Sequence, residues 1–333
     1  MEIGYSLVGF APADDFEEFI AEALKRQADY DWWLDGPRKP LEQARPTNIM
    51  AQAKSLIVLA YNSAQVHFPK HLSSLMGRIY QARCYFAPPA NINGARLGLL
   101  QAFLANEGIA SENALWLPQR WAGLRAGLTS FGKNTFAYAP RLGSFIVLTT
   151  LVVDATLDPD EPSPVASTCP EDCRRCIDAC PTGALAAPYQ LVPRRCISFN
   201  NWMPQVQSIP EEIRPLLGSR IHGCDACQEA CPKNAAVLKA NDTRPRDSLL
   251  ELLDEELTLE QILHMPDGYY ESRIKPVMYN YIRNPQLFRR NAAVAMGNSG
   301  DPRYLPHLEQ HANDTDPLVR EHVAWAISRI NGS

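Results

Sequence analysis

Apolar residues recur along this chain with two periods. Behind Asp14 and Asp15, which can cap a helix, Phe16, Phe19, Ile20, Ala23 and Leu24 occupy the spacing of one helical face. Residues 55–61 form an apolar, β-branched run that predicts a buried strand, and residues 144–153 predict the strongest strand of the chain. Residues 95–108 read as a helix with Leu97, Leu100 and Leu104 on one side. Residues 30–46, rich in Trp, Asp and Pro, predict a long loop. Its Trp32-Trp33 pair lines either the core or a ligand wall, and core packing is the preferred reading because aromatic side chains mostly pack. Between 119 and 134, Gly127 and Gly132 bracket a turn with Lys133 and Asn134 at its exit. That turn is either plain punctuation or a place where a large ligand approaches the backbone. Its glycine spacing matches neither a Walker loop nor a dinucleotide fingerprint.

The last third reads as helical: residues 289–297, residues 302–311, and a helix opened by Asp316-Pro317 whose Val319, Val323, Ala326, Ile327 and Ile330 face inward. Asp-Pro starts at 301 and 316, each with an Arg soon after, resemble HEAT-type repeats. So few units must lean on the rest of the protein. Arg283, Arg289 and Arg290 read as a small basic patch for phosphates or as a solvated face. Residues 158–167 and 232–246 read as linkers.

Candidate chemistry is concentrated between 169 and 231, which holds Cys169, Cys173, Cys176, Cys180, Cys196, Cys224, Cys227 and Cys231. Two Cys-x3-Cys-Pro endings, each preceded by Cys-x2-Cys, are the spacing of a two-cluster ferredoxin, in which the cysteine before proline serves the other cluster. Cluster one therefore takes Cys169, Cys173, Cys176 and Cys231. Cluster two takes Cys180, Cys224, Cys227 and, as the remaining thiolate of the stretch, Cys196. Zinc also accepts four thiolates but does not call for this run. Disulfides suit small domains in oxidising compartments. Three residues separate Cys169 from Cys173, where a ferredoxin has two. Cys84 lies outside the cluster region and is expected to be an idle thiol.

Composition limits the remaining choices. With 333 residues, 46% hydrophobic and 21% charged, the chain is long enough for two or three domains with a buried core. No apolar run is long enough to span a membrane, and the N-terminus has no secretory pattern, so a cytoplasmic protein is expected. A net charge of −5 argues against non-specific coating of nucleic acid while leaving room for a local basic face.

Taken in order, these motifs resemble the epoxyqueuosine reductase family, cobalamin-dependent iron–sulfur enzymes that complete the queuosine base in tRNA. The likeness runs through Ala126-Gly127-Leu128, Gly132-Lys133-Asn134, Gly143-Ser144, Cys176-Ile-Asp-Ala-Cys180-Pro and Arg195-Cys196-Ile-Ser. It continues through Gly218-Ser-Arg-Ile-His-Gly223-Cys224-Asp-Ala-Cys227-Gln and Arg290-Asn291 to Gly297-Asn298. The resemblance supports Cys196 as the eighth ligand. It implies an α/β corrinoid-binding domain over 1–157, a double [4Fe-4S] ferredoxin-like domain over 158–240 and a helical domain with HEAT-like repeats over 241–333. It further implies cobalamin bound in front of Gly127, Gly132, Lys133 and Asn134, facing cluster two.

Some positions depart from the family pattern. Its proposed proton donor, an Asp seven residues before an Arg matched here by Arg120, falls on Asn113, with Glu112 adjacent and Trp116 in place of a proline. An Asn and a Tyr of the family are Ser219 and His222, and the stretch Gly77-Arg-Ile79-Tyr80-Gln81 is blurred. Asn113 and Glu112 are the candidate catalytic residues. The expected activity is reduction of epoxyqueuosine to queuosine in tRNA, by a monomer fed by a low-potential donor such as flavodoxin or ferredoxin. The alternatives are a corrinoid reductase of a small organic substrate and a non-catalytic ferredoxin-type electron carrier. The chain has no Asp-x-His-x-x-Gly motif, so a histidine-ligated corrinoid is not expected.

Overall fold

A computed structural model describes residues 3–82, 92–162, 169–275 and 284–332. The run at 55–61 becomes the centre of a four-stranded sheet, β2 (Ser55–Asn62), buried on both faces except at its last residue. Strand β1 (Leu7–Pro12) and strand β6 (Ile146–Val153) flank it, and β3 (Ser111–Asn113) forms the far edge in the order β1-β2-β6-β3. All three pairings are antiparallel. Burial on both faces explains why β2 lacks polar alternation. One face packs Leu56, Val58 and Val152 against Phe16, Leu117 and Ala122. The other packs Ile57, Leu59 and Leu151 against Leu104, with Leu97 and Leu100 beside it, from the helix Ile92–Asn106.

Several expectations change. The helix Glu17–Lys25 has Phe16 as its cap residue and receives no side-chain cap. Asp15 instead pairs with Arg45, and the backbone carbonyls of Asp14 and Asp15 accept from Arg125. The expected loop at 30–46 contains the helices Gln27–Leu34 and Pro40–Gln43. Its aromatics hold it by tertiary packing: Trp33 meets Phe19 at 5.9 Å and Trp32 meets Phe199 at 5.0 Å between ring centres. Residues 232–246 are not a plain linker but hold short helices, among them Ala235–Lys239. Residues 163–168 of the other expected linker, Arg283 and Cys84 lie outside the described residues.

Three elements of the helical third begin with one device. Asn284, Asp301 and Asp316 each cap a helix whose next residue is proline, and each accepts from a backbone N–H of the first turn. Helix Pro285–Ser299 packs on helix Pro317–Ile330 at Gly297, where a Cβ would press into Ala326. This layer leans on the body as expected: its core includes Leu72, Leu75, Met76 and Tyr80 from the N-terminal third. Arg289 and Arg290 do not form a basic patch. Arg289 pairs with Asp314, and Arg290 is fully buried with its guanidinium on the carbonyls of Asn200, Val206 and Gln207. Among the described residues no helix is long and apolar enough to cross a membrane.

Candidate metal centres and the hairpin that joins them

Cys176 lies within electrostatic reach of Cys231, Cys169 and Cys173, and Cys227 within that of Cys196, Cys224 and Cys180. Burial pushes the Cys176 thiol up, and Cys231, Cys169 and Cys173 add to the shift. Burial likewise raises Cys227 well above its usual range, and Cys196, Cys224 and Cys180 reinforce it. Each quartet is thus close enough for its members to repel one another as thiolates. Yet among the described residues no three Cys, His, Asp or Glu side chains gather around a point that would suit one metal ion. A single tetrahedral zinc needs that convergence; a four-iron cluster, with sulfurs on the corners of a larger body, does not. The residues present fit two cubane clusters.

Backbone and hydroxyl donors already face some of these sulfurs. Burial raises Cys180, but N–H groups of Leu185, Thr182 and Ala184 and the Thr182 hydroxyl prevail and hold it below its ordinary value. Cys196 is pushed up by burial and opposed by donors from Phe199 and Ser198. The extra residue between Cys169 and Cys173 is taken up in a turn, in which the Cys173 N–H donates to the Pro170 carbonyl at 3.1 Å. Lys133 closes that turn. Its Nζ donates to the carbonyls of Pro170, Glu171 and Cys173 at 2.7, 2.6 and 3.0 Å.

Lys133 stands on a hairpin made of β4 (Ser130–Phe131) and β5 (Ala137–Tyr138). Asn134 Nδ2 on the same turn donates to Tyr138 Oη at 2.9 Å and to the Cys227 carbonyl at 3.3 Å. Tyr138 lines one cavity together with Cys169, Cys173, Cys176 and Cys231. The hairpin therefore touches the loops of both clusters. Gly132 has a reason in this packing, since a Cβ there would strike the Tyr138 ring. Gly143, at φ +59°, makes room for Asn234, whose side chain binds both the N–H and the hydroxyl of Ser144 at 2.9 Å. Of the four residues expected to meet cobalamin, Lys133 and Asn134 are buried and held by the cluster loops. Gly127, at φ +67°, is exposed beside the Glu161 carbonyl.

Where the N-terminal domain meets cluster two, Tyr30 lies within electrostatic reach of both Cys196 and Arg120, and burial raises its phenol. Arg120 donates to the Thr135 carbonyl at 3.0 Å and lies 5.3 Å from the centre of the Phe136 ring. It sits on the helix Gln119–Arg125, which Gln119 ties to the sheet: its Nε2 donates to the Ala114 carbonyl at 2.6 Å, and its Oε1 accepts from Thr150 at 2.7 Å. Glu112 and Asn113, both exposed, end the edge strand just before this junction. Glu112 pairs with Val152 and Asn113 with Leu151. Cross-strand partners share a face. Glu112 therefore shares the face packed by Ala122 and Trp121 of the Arg120 helix, and Asn113 the face packed by Leu104.

The other departures from the resemblance are structural. His222 is fully buried against Tyr80, at 4.1 Å between ring centres, and against Phe288 at 5.5 Å; burial lowers it to about 3. Ser219 Oγ donates to the Ser74 carbonyl at 2.8 Å. Arg78 of the blurred stretch binds the buried Asp225 through its backbone N–H at 2.8 Å and its guanidinium at 3.2 Å. Sequence reasoning passed over Tyr30, Tyr138 and Asn234. No motif marks them: Tyr30 and Asn234 act through contacts 90 or more residues away, and Tyr138 through the turn of its own hairpin.

A profile described as a 4Fe-4S double cluster binding domain matches residues 169–234, and one described as HEAT repeats matches residues 276–333. The epoxyqueuosine reductase of Bacillus subtilis is 30% identical over 342 residues, spanning 98% of this chain and 85% of that protein. The epoxyqueuosine reductase of Escherichia coli is 38% identical over 213 residues, 62% of this chain and 52% of its own. A solved structure of the Bacillus subtilis enzyme, with its catalytic aspartate loop swung out of the active site, matches at a TM-score of 0.82 and 27% identity, covering 99% of this chain and 87% of that one. An epoxyqueuosine reductase structure with an epoxyqueuosine-modified stem loop of tyrosine tRNA matches at 0.82 and 26%, with the same coverage.

Proposed function

The chain belongs to the epoxyqueuosine reductase family, and from that premise we propose that it converts epoxyqueuosine to queuosine in tRNA. The observation that carries this reading is the joint between the N-terminal domain and cluster two, where Tyr30 lies within electrostatic reach of both Arg120 and Cys196. In the net reaction both carbon–oxygen bonds of the epoxide break and a carbon–carbon double bond forms. Two electrons and two protons enter, and the oxygen leaves as water.

Family members are cobalamin-dependent, and the donor set here suits a corrinoid without a protein histidine. His67 and His71 bind carbonyls of Asn241 and Leu257, His222 is enclosed by aromatics, and His322 binds Ile209 and Leu318. His264, His307 and His311 bind one another in the helical third. None of the seven histidines stands at the Tyr30–Arg120 joint. The segment in front of Gly127 and Gly132, with its partly exposed Ser130, Phe131, Thr135 and Phe136, is the floor we assign to the corrinoid. There it would supply the low-potential metal centre that the reduction needs. The two thiol quartets would hold the clusters that bring electrons to it one at a time.

The protein's own part is to place the epoxide and deliver protons. Asn113 can orient a hydroxyl or a water, but its amide cannot act as an acid near neutral pH. Glu112, on the same sheet face as the Arg120 helix, is the assigned proton donor. A positioned acid contributes typically 10²–10⁴-fold, roughly, to such a step. Arg120, whose Nη1 donates to the Thr135 carbonyl at 3.0 Å, is assigned to positioning the anionic backbone of the nucleotide. The tRNA, a low-potential flavodoxin or ferredoxin as donor, the monomeric state and the cytoplasm complete the proposal. The cytoplasm follows from the need of thiolate-held clusters for a reducing environment. The division at 157 and 240 is part of it too.

Complementation tests the assignment: expression in a strain lacking the reductase should restore queuosine to its tRNA. A second reading, reduction of a small organic substrate, draws on one observation, the Asn113 that stands where the family has its acid. It would be favoured if the protein binds cobalamin and both clusters yet leaves the tRNA unchanged.

A further inference from the structure

Three of the seven histidines stand in a row in the helical third, and the row ends on a buried carboxylate. We infer that His264 and His307 bind one divalent transition-metal ion such as zinc, with His311 and Asp314 behind them as orienting partners. Neither the clusters nor the tRNA substrate enters into it.

His264 closes the helix Leu259–His264, and His307 lies on the helix Leu305–Glu309. His311 follows in the turn that ends the second helix, where its N–H donates to the Leu308 carbonyl at 2.9 Å. Asp314 fixes the protons along the row. Its side chain is 8% exposed, pairs with Arg289 and meets His311 Nδ1 at 2.9 Å. A carboxylate held by a guanidinium is ionised and only accepts, so His311 carries its proton on Nδ1 and offers the lone pair of Nε2. Arg289 Nη2, 3.2 Å from that Nδ1, has its own acceptor in Asp314. His264 Nδ1 lies 2.8 Å from His311 Nε2 and therefore holds the proton between them. His264 Nε2 is left with a bare lone pair, 3.3 Å from His307 Nδ1.

That separation is longer than an ordinary N–H hydrogen bond of about 2.9–3.0 Å. Two nitrogens bound to one tetrahedral ion at about 2.0–2.1 Å stand about 3.3–3.4 Å apart, which is the spacing found. Imidazole nitrogens favour zinc, copper or nickel over magnesium or calcium. A metal-ligating histidine characteristically donates its other ring N–H to an acceptor that fixes its tautomer and raises its basicity. His264 has that support through His311 to Asp314. The rings are also packed, with 4.9 Å between the centres of His264 and His311 and 5.5 Å between those of His264 and His307. Among the described residues no third His, Cys, Asp or Glu converges on the pair, so water completes the coordination. Glu260, one turn before His264, shares its helix face and adds negative charge to it. An ion held there would tie two helices of the layer together across 43 residues of chain.

Calorimetric titration of Zn²⁺ into the full chain, carrying both clusters under anaerobic conditions with iron counted before and after, tests the site. The unaltered protein should take up one zinc ion without losing iron. His311→Ala keeps both ligands and removes their support, so affinity should fall about 10–100-fold. His307→Ala removes a ligand and should cost more. Zinc should raise the thermal midpoint of the unaltered protein and leave that of His307→Ala where it was. If His311→Ala does not retain its iron, His307→Ala decides, since His307 is only half-buried. No zinc uptake by the unaltered protein, or uptake by His307→Ala with equal affinity, overturns the inference.

Discussion

Arg290 Nη2 donates to the carbonyl of Asn200 at 2.7 Å, joining the helical third to the helix that follows Cys196, the proposed eighth cluster ligand. The neighbouring Asn291 binds the carbonyls of Asn201 and Ile221, and Asn201 in turn holds Gly223 through both its N–H and its carbonyl. The repeats are thus a brace for the loops of cluster two.

Loss of that brace should be costly. Arg290→Met leaves the buried carbonyls of Asn200, Val206 and Gln207 without their donor, at about 1–3 kcal/mol each. Thermal denaturation of the anaerobic protein should show destabilisation of at least about 3 kcal/mol, and cluster two should be lost before cluster one.

Iron content reports the ligand sets. The reconstituted protein should carry about eight irons as two four-iron clusters, and Cys196→Ser about four to eight with the spectrum of cluster two altered or lost. Stoichiometric zinc in place of iron would overturn the assignment. Cys84→Ser should leave the iron unchanged.

Lys133 offers a second structural variant. Lys133→Met should weaken cluster one selectively, since three carbonyls of the Cys169–Cys173 turn lose a charged donor. Iron and sulfide analysis after gel filtration would show it, and an intact cluster one would contradict the clamp.

Acid should destabilise the fold through buried neutral histidines. Burial lowers His322 to about 4, and its ring accepts the Ile209 N–H at 3.2 Å in a pose that needs a neutral imidazole. Because the folded pKa lies below the unfolded value of 6.5, the unfolded chain binds more protons between those values. Stability is therefore full above about pH 6.5 and falls toward pH 4, by about 3 kcal/mol for this residue. His222, lowered to about 3, adds a loss of the same sign. Denaturant midpoints across this range should show the slope, and His322→Gln should flatten it.

The parts legible in the sequence were those with local chemistry. Cysteine spacing marked the double-cluster segment, and the Asp-Pro starts named two caps of the repeats. The apolar run at 55–61 named the central strand. What was not legible depends on distant partners. Residues 27–34 have no apolar stripe of their own and are held by Phe19 and Phe199. Arg289 and Arg290 look like surface charge until Asp314 and three carbonyls are placed around them. Lys133 and Asn134 carry a family motif, yet their side chains serve the cluster loops.

Proton delivery separates Glu112 from Asn113. The two side chains lie on opposite faces of the edge strand, with Glu112 on that of the Arg120 helix. Glu112→Gln should lower turnover of tRNA substrate about 10²-fold or more. Asn113→Asp should raise turnover if that position can still reach the substrate, and Asn113→Ala should cost much less than Glu112→Gln.

The central claim is tested most directly by incubating the protein, loaded with both clusters and cobalamin, with epoxyqueuosine-containing tRNA and a low-potential reductant under anaerobic conditions. The nucleosides are then resolved by mass spectrometry. The account predicts loss of the epoxide's oxygen atom mass and appearance of queuosine. Unchanged epoxyqueuosine, from protein shown to hold eight irons and bound cobalamin, would contradict it.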